Sequence, residues 1–171
     1  MSSLELTPLH PLFAAEARGI DIRQPLSPAE VKQINAAMNR YAVLVWRGRP
    51  LTGQQQIDFA KAFGPLDLGL KKVFKRPERL EDERLIDISN VDAQGNVAKG
   101  DSPKNLSNFA NQLWHSDSSF MNPRAAYSML HCVVKPSWGG QTEFADLRAA
   151  YDTLDARTKA EIQDLKAEHF A

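Results

Sequence analysis

Cysteine is nearly missing from this sequence: Cys132 is the only one among 171 residues. A disulfide within these residues and a thiolate-rich metal site are therefore both excluded. An excess of charge of either sign is missing too, because 21 basic residues balance 21 acidic ones. No apolar run is long enough to cross a bilayer, and residues 1–13 lack the pattern of a signal peptide. We therefore expect a cytoplasmic protein that binds neither nucleic acid nor membrane.

The remaining composition, 43% hydrophobic and 25% charged, is that of an ordinary globular protein, and the length suits one domain. Ser27-Pro28-Ala29-Glu30 and Thr52-Gly53-Gln54-Gln55 each have the pattern of a capping box, which starts a helix. Apolar residues at helical spacing extend the first helix to about Arg40, and Gly64-Pro65 ends the second. Between the two helices, the short apolar run 41–46 predicts a buried strand.

The rest of the chain is predicted to contain strands, a long loop and two further helices. The predicted elements are strands over 84–89, 127–134 and 141–145, a loop over 92–111, a helix capped by Asp146 and reaching Leu154, and a last helix that holds Ile162 and Leu165. Loops as long as 92–111 are usually functional or mobile in compact domains.

His115 and Asp117 are the sharpest chemical feature of the sequence. In an extended segment, residues two apart point to the same side, so this imidazole and this carboxylate can reach one metal ion. The same two ligand types make up two thirds of the 2-His-1-carboxylate triad of non-haem Fe(II) oxygenases. Taken alone the pair is weak evidence, because His-x-Asp also occurs by chance on polar loops and strand edges.

A second motif follows downstream, Gly139-Gly140-Gln141-Thr142-Glu143-Phe144, a tight turn that leads into a strand. Trp114-His-x-Asp followed by Gly-Gly-x-Thr-x-Phe resembles the TauD/TfdA family of Fe(II)- and 2-oxoglutarate-dependent dioxygenases. Within the family the resemblance is strongest toward members that act on aryloxyacetates such as 2,4-dichlorophenoxyacetate. The runs that carry the resemblance are spread over the chain, at 10–15, 43–47, 63–65, 87–91, 108–120 and 127–130.

The resemblance implies a role for each of seven residues. His115 and Asp117 would bind Fe(II), and Thr142 would donate a hydrogen bond to the distal carboxylate of 2-oxoglutarate. Asn111, Ser118, Ser119 and Lys72 would bind an anionic small-molecule substrate. Simpler roles exist for three of them: Thr142 as an ordinary strand threonine, Asn111 as a turn residue, and Lys72 as part of a solvated basic loop. We expect His10, His131 and His169 to make structural hydrogen bonds rather than to bind metal.

The resemblance also implies a mixed α/β fold with a mainly β core, a double-stranded β-helix (jelly roll) with flanking helices. Residues 1–171 would be the N-terminal portion of a single dioxygenase domain. In the family, the second histidine of the triad and an arginine that binds 2-oxoglutarate come later in the chain. We therefore expect the fold to be incomplete and these 171 residues alone to be inactive or nearly so.

The activity implied for the intact protein consumes O₂ and 2-oxoglutarate and hydroxylates the carbon next to the ether oxygen of an aryloxyacetate. Its products would be a phenol and glyoxylate, together with succinate and CO₂. Two alternatives remain open: the same chemistry on another small anion, such as a sulfonate or an aryl alkanoate, or a non-catalytic remnant that binds metal. Whether the protein forms a homo-oligomer is also left open.

Overall fold

The computed structural model describes residues 2–67, 79–80, 82–92, 94–100 and 102–168. The chain divides into two compact units. Unit 1 comprises Met1–Phe63 and Leu130–Glu168, and unit 2 comprises Gly64–Met129 together with His169–Ala171. The elements in chain order are β1 (Glu5–Pro8), β2 (Ala15–Arg18), α1 (Pro28–Tyr41), β3 (Leu44–Val45), α2 (Gly53–Lys61), α3 (Pro103–Ala110), α4 (Leu147–Thr153) and α5 (Ala156–Ile162). The expected mixed α/β class is confirmed, with a small sheet.

The sheet belongs to unit 1 and has the order β1-β2-β3. β1 and β2 pair antiparallel, with Glu5 opposite Arg18, and β2 pairs parallel with β3, with Ala15 opposite Leu44. Helix α1 forms the crossover between the two parallel strands. β1 and β2 are absent from the predicted elements, because β1 contains a proline and β2 is made of alanine and charged residues, which strands tend to avoid.

Helices α1 and α2 begin as their capping boxes predict. The Ser27 hydroxyl accepts a hydrogen bond from the Glu30 backbone N–H at 3.3 Å, and the Glu30 carboxylate accepts one from the Ser27 N–H at 2.8 Å. Thr52 and Gln55 make the same reciprocal pair at the start of α2. The apolar faces of both helices contribute to the core of unit 1, which holds Ala15, Ala17, Ile20, Ile22, Ile34, Ala37 and Ile57.

The strand predicted over 84–89 is wrong. The Asp82 carboxylate accepts a hydrogen bond from the Arg84 N–H, and the Asp82 carbonyl accepts one from the Leu85 N–H, so the backbone turns there. The loop predicted over 92–111 is also wrong in part, since α3 lies within it. An antiparallel bridge joins Val91 to Val97 just before that helix.

The strands predicted over 127–134 and 141–145 are not formed either. Their sequences have β character, but a strand exists only where its backbone groups pair with a neighbouring strand, and within the described residues these segments have no such neighbour. Several of their apolar side chains are exposed, from 55% at Phe144 to 82% at Val134.

Asp146 caps α4, as predicted, by accepting a hydrogen bond from the Arg148 N–H at 2.9 Å. The Arg148 guanidinium also donates to that carboxylate and holds the pKa of Asp146 below its usual range. Helix α4 stops just before Leu154, in agreement with the prediction, whereas α5 ends at Ile162, so that Leu165 lies beyond it. In the part of the chain that the structure describes, no helix is long and apolar enough to span a membrane.

Candidate metal centre

Helix α3 anchors the segment that carries the candidate ligands in unit 2. The Asn105 side-chain amide donates to the carbonyl oxygens of Ala98 (3.1 Å) and Lys99 (2.7 Å). One turn later, the Asn108 amide donates to the Ser89 carbonyl at 3.0 Å. These bonds fix the helix against the preceding segment, and the chain leaves its C-terminal end toward the His-x-Asp motif.

The structure brings His115 and Asp117 together in the segment that follows, where a turn begins at Asp117. His115 Nε2 lies 3.2 Å from Asp117 Oδ1, and the two side chains are 50% and 57% exposed. His115 Nδ1 lies 2.7 Å from the Leu113 carbonyl oxygen. A carbonyl can only accept, so Nδ1 is the donor in this contact, and Nε2 is the ring nitrogen that lies next to the carboxylate. A ring nitrogen and a carboxylate oxygen, both of them metal-ligand atoms, therefore lie side by side.

This donor set fits a metal ion. Two adjacent ligands of one ion, each about 2.1 Å from it, lie about 3 Å apart, and the observed separation of Nε2 and Oδ1 is 3.2 Å. Histidine ligands commonly donate their other N–H to a carbonyl or a carboxylate, as His115 does to Leu113. The second oxygen of Asp117 accepts a hydrogen bond from the Ser128 hydroxyl at 2.6 Å.

A third ligand does not join this pair: the described residues contain no group of three or more His, Cys, Asp or Glu side chains able to hold a metal. Two other histidines make structural hydrogen bonds, as expected. His131 Nε2 accepts from the Leu51 N–H at 3.3 Å, and His10 Nδ1 accepts from the Leu12 N–H at 3.2 Å. His169 lies outside the described residues.

Three of the four candidate substrate residues lie among the residues that the structure describes. Ser118 follows the ligand pair with a positive φ of 52°, and its hydroxyl donates to Asp67 Oδ2 at 3.2 Å. Ser119 lies half-buried in the same turn, and Asn111 is exposed in the turn after α3. All three therefore share unit 2 with the ligand pair. Lys72 lies outside the described residues.

Thr142 belongs to unit 1, whereas the ligand pair belongs to unit 2. Thr142 is exposed and follows Gly139 and Gly140 in a segment without regular secondary structure. Both glycines have positive φ, 73° and 72°, which a residue with a side chain adopts only with strain. The tight turn predicted before Thr142 is therefore present.

Ser128 and the Leu113 carbonyl are not among the site groups predicted from the sequence. Every residue has a backbone carbonyl, so the residue type at position 113 could not indicate that this carbonyl accepts a hydrogen bond from His115. Ser128 lies eleven positions after Asp117, beyond any local spacing rule. The one available signal was that Ser128 is a polar residue within an apolar run.

The family model for taurine catabolism dioxygenases, described as the TauD, TfdA family, matches residues 5–170. The chain therefore belongs to this family of dioxygenases.

Individual relatives are similar over nearly the whole chain. Alpha-ketoglutarate-dependent 2,4-dichlorophenoxyacetate dioxygenase of Cupriavidus pinatubonensis is 53% identical over 169 residues, which are 99% of this chain and 59% of that protein. The (S)-phenoxypropionate/alpha-ketoglutarate-dioxygenase of Sphingobium herbicidovorans is 36% identical, over 98% of this chain and 53% of that protein. This chain thus spans little more than half the length of these relatives.

A solved structure is similar as well, the crystal structure of AAD-2 in complex with Mn(II) and N-oxalylglycine. Its TM-score to this chain is 0.78 at 39% sequence identity, and the match covers 95% of this chain and 54% of that one.

Proposed function

We propose that the protein containing this chain is an Fe(II)- and 2-oxoglutarate-dependent dioxygenase that hydroxylates aryloxyacetates next to the ether oxygen. The products are a phenol and glyoxylate, with succinate and CO₂ formed from 2-oxoglutarate and O₂. Support comes from family membership and from the name of the relative that is 53% identical. N-Oxalylglycine, bound in AAD-2, has the atom chain of 2-oxoglutarate with one methylene replaced by N–H.

The observation that carries this proposal is the close approach of two potential ligand atoms, His115 Nε2 and Asp117 Oδ1, at 3.2 Å. These residues supply two of the iron ligands. The bond from Nδ1 to the Leu113 carbonyl holds the imidazole in the tautomer that leaves Nε2 free for metal. Iron, when bound with 2-oxoglutarate, supplies the oxidising chemistry, and the protein supplies its position and its surroundings.

We further propose that residues 1–171 form the N-terminal portion of one jelly-roll dioxygenase domain. Support comes from the segments 127–134 and 141–145, which have β character in sequence and whose exposed side chains include Leu130, Val133, Val134 and Phe144. In a double-stranded β-helix such segments are covered and paired by other strands. The match covers 59% and 53% of the two relatives' own lengths, so each relative has further chain outside it.

The remaining assignments concern anions. Thr142 donates to the distal carboxylate of 2-oxoglutarate, and Asn111 lines the substrate site near the iron. Ser118 and Ser119 approach the substrate carboxylate, and Lys72 is its counter-ion. Because the Ser118 hydroxyl already donates to Asp67, its backbone N–H is the group left for a substrate oxygen.

Replacing Thr142 with valine tests the cosubstrate assignment, because valine keeps the shape and removes the hydroxyl. A hydrogen bond to a charged group contributes about 1.5–3 kcal/mol, so the KM for 2-oxoglutarate should rise by about tenfold or more. Affinity for Mn(II) in the absence of 2-oxoglutarate should stay the same, and Thr142→Ser should restore the KM. An unchanged KM in Thr142→Val would return Thr142 to the role of an ordinary strand residue.

Substrate class is tested with the full-length protein, Fe(II) and 2-oxoglutarate, by measuring succinate and the phenol released. We expect phenoxyacetate to be converted much faster than (S)-phenoxypropionate or taurine. Faster conversion of taurine would favour another small anion as substrate. Metal binding without any consumption of 2-oxoglutarate would instead indicate a non-catalytic protein and reject the dioxygenase proposal.

A further inference from the structure

Ser128 contacts the candidate metal centre without being a candidate ligand. Its hydroxyl lies 2.6 Å from Asp117 Oδ2, while the other oxygen of the same carboxylate, Oδ1, faces His115 Nε2. An ionised carboxylate only accepts hydrogen bonds, so the Ser128 hydroxyl is the donor. The distance falls in the range of charge-assisted O–H···O⁻ bonds, about 2.5–2.7 Å, which are roughly twice as strong as neutral ones.

Local structure brings the two residues together across eleven positions. A turn begins at Asp117, and the Met121 N–H donates to the Ser118 carbonyl at 3.0 Å within it. The chain then returns through 124–127 to Ser128. Both Asp117 and Ser128 are exposed, so water competes for the carboxylate. The Ser128 hydroxyl restrains the rotation of the carboxylate at Oδ2, and His115 contacts it at Oδ1.

We propose that Ser128 is a positioning residue that presents Asp117 to the metal through Oδ1 alone. This inference rests on the proposed function. A carboxylate binds a metal through one oxygen or through two, and two-oxygen binding takes up an additional coordination position. The 2-His-1-carboxylate site needs its remaining positions for other ligands, so a carboxylate that rotates into two-oxygen binding would block one of them. By engaging Oδ2, the Ser128 hydroxyl prevents this rotation.

The test is anaerobic titration of Mn(II) into the full-length protein, with free Mn(II) followed by electron paramagnetic resonance. Loss of a group that orients a metal ligand typically weakens metal binding by about 10–100-fold, so Ser128→Ala should raise the Mn(II) Kd about tenfold. Ser128→Thr keeps the hydroxyl and should restore affinity. The matched control is Ser116→Ala, the same change at the exposed position between the two ligands, which should leave the Kd unchanged.

A merely structural hydrogen bond would give a different result. In that case Ser128→Ala would lower the thermal midpoint of the metal-free protein and leave the Mn(II) Kd as it was, which overturns the inference. An equal loss of affinity in Ser128→Thr would also overturn it, since the hydroxyl would then not be the important group. The parent proposal is tested separately by His115→Ala: if this variant binds Mn(II) as tightly as the unchanged protein, the metal centre itself is wrong, and the role of Ser128 falls with it.

Discussion

Replacing His115 with alanine is expected to abolish specific metal binding and, with it, all consumption of 2-oxoglutarate. The variant loses a metal ligand, so the fall in Mn(II) or Fe(II) affinity should exceed the roughly 10–100-fold loss that follows removal of an orienting group. Asp117→Ala should have the same effect, because it removes the only negative charge of the pair. Anaerobic titration of Fe(II) plus 2-oxoglutarate measures this through the weak visible absorption of the ternary complex.

The two alanine variants should fold normally, so that a loss of metal affinity can be attributed to the missing ligand. Both side chains are at least half exposed, and substitutions at exposed positions usually change the free energy of unfolding by no more than about 0.5 kcal/mol. The two losses should not add up in the double variant, because either change alone already removes the site.

His131→Ala is the matched histidine control for this prediction. His131 accepts a hydrogen bond from the Leu51 N–H, so its removal should cost about 1 kcal/mol of stability and leave metal affinity intact. Comparable metal loss in the His131 and His115 variants would mean that global destabilisation, rather than a ligand, was measured. Retention of the absorption band in His115→Ala would reject the assignment of the His-x-Asp motif.

Features that depend on neighbouring residues could be read from the sequence. Both capping boxes consist of four consecutive residues, and the structure confirms both. The start of α3 was equally readable, since Ser102-Pro103 repeats the Ser27-Pro28 pattern, and the Asn105 N–H donates to the Ser102 hydroxyl. The polar, glycine-containing composition around it led to the wrong prediction of a loop.

Features that depend on distant residues could not be read in this way. A strand needs a partner, and nothing in the local sequence of 127–134 reports whether its partner is present. The candidate metal centre likewise contains one contact between residues near in sequence and one between distant residues. His115 and Asp117 are only two residues apart, whereas the contact between Asp117 and Ser128 depends on how the intervening turn folds. A sequence pattern can therefore identify metal ligands more readily than the groups that orient them.

The second large effect is expected in the core of unit 1, at Ile57. Its side chain is fully buried on the inner face of α2, with 2% of the residue exposed. Truncating a buried isoleucine to alanine typically costs about 2–5 kcal/mol, because transfer energy is lost and a cavity remains. Whole domains are stable by only about 5–15 kcal/mol, so Ile57→Ala should lower the urea midpoint strongly and reduce the soluble yield of the full-length protein.

The loss in the free energy of unfolding should depend on how much of the side chain is removed and on how deeply it is buried. Ile57→Val removes one methylene and should cost only about 0.5–1.5 kcal/mol. Ile162→Ala makes the full truncation at a residue of α5 that is 37% exposed, so part of the deleted surface was never removed from water and the loss should be smaller than at Ile57. The two isoleucines differ in burial, at 2% and 37% exposed. An equal loss in the free energy of unfolding for Ile57→Ala and Ile162→Ala would therefore show that α2 does not pack Ile57 into the core.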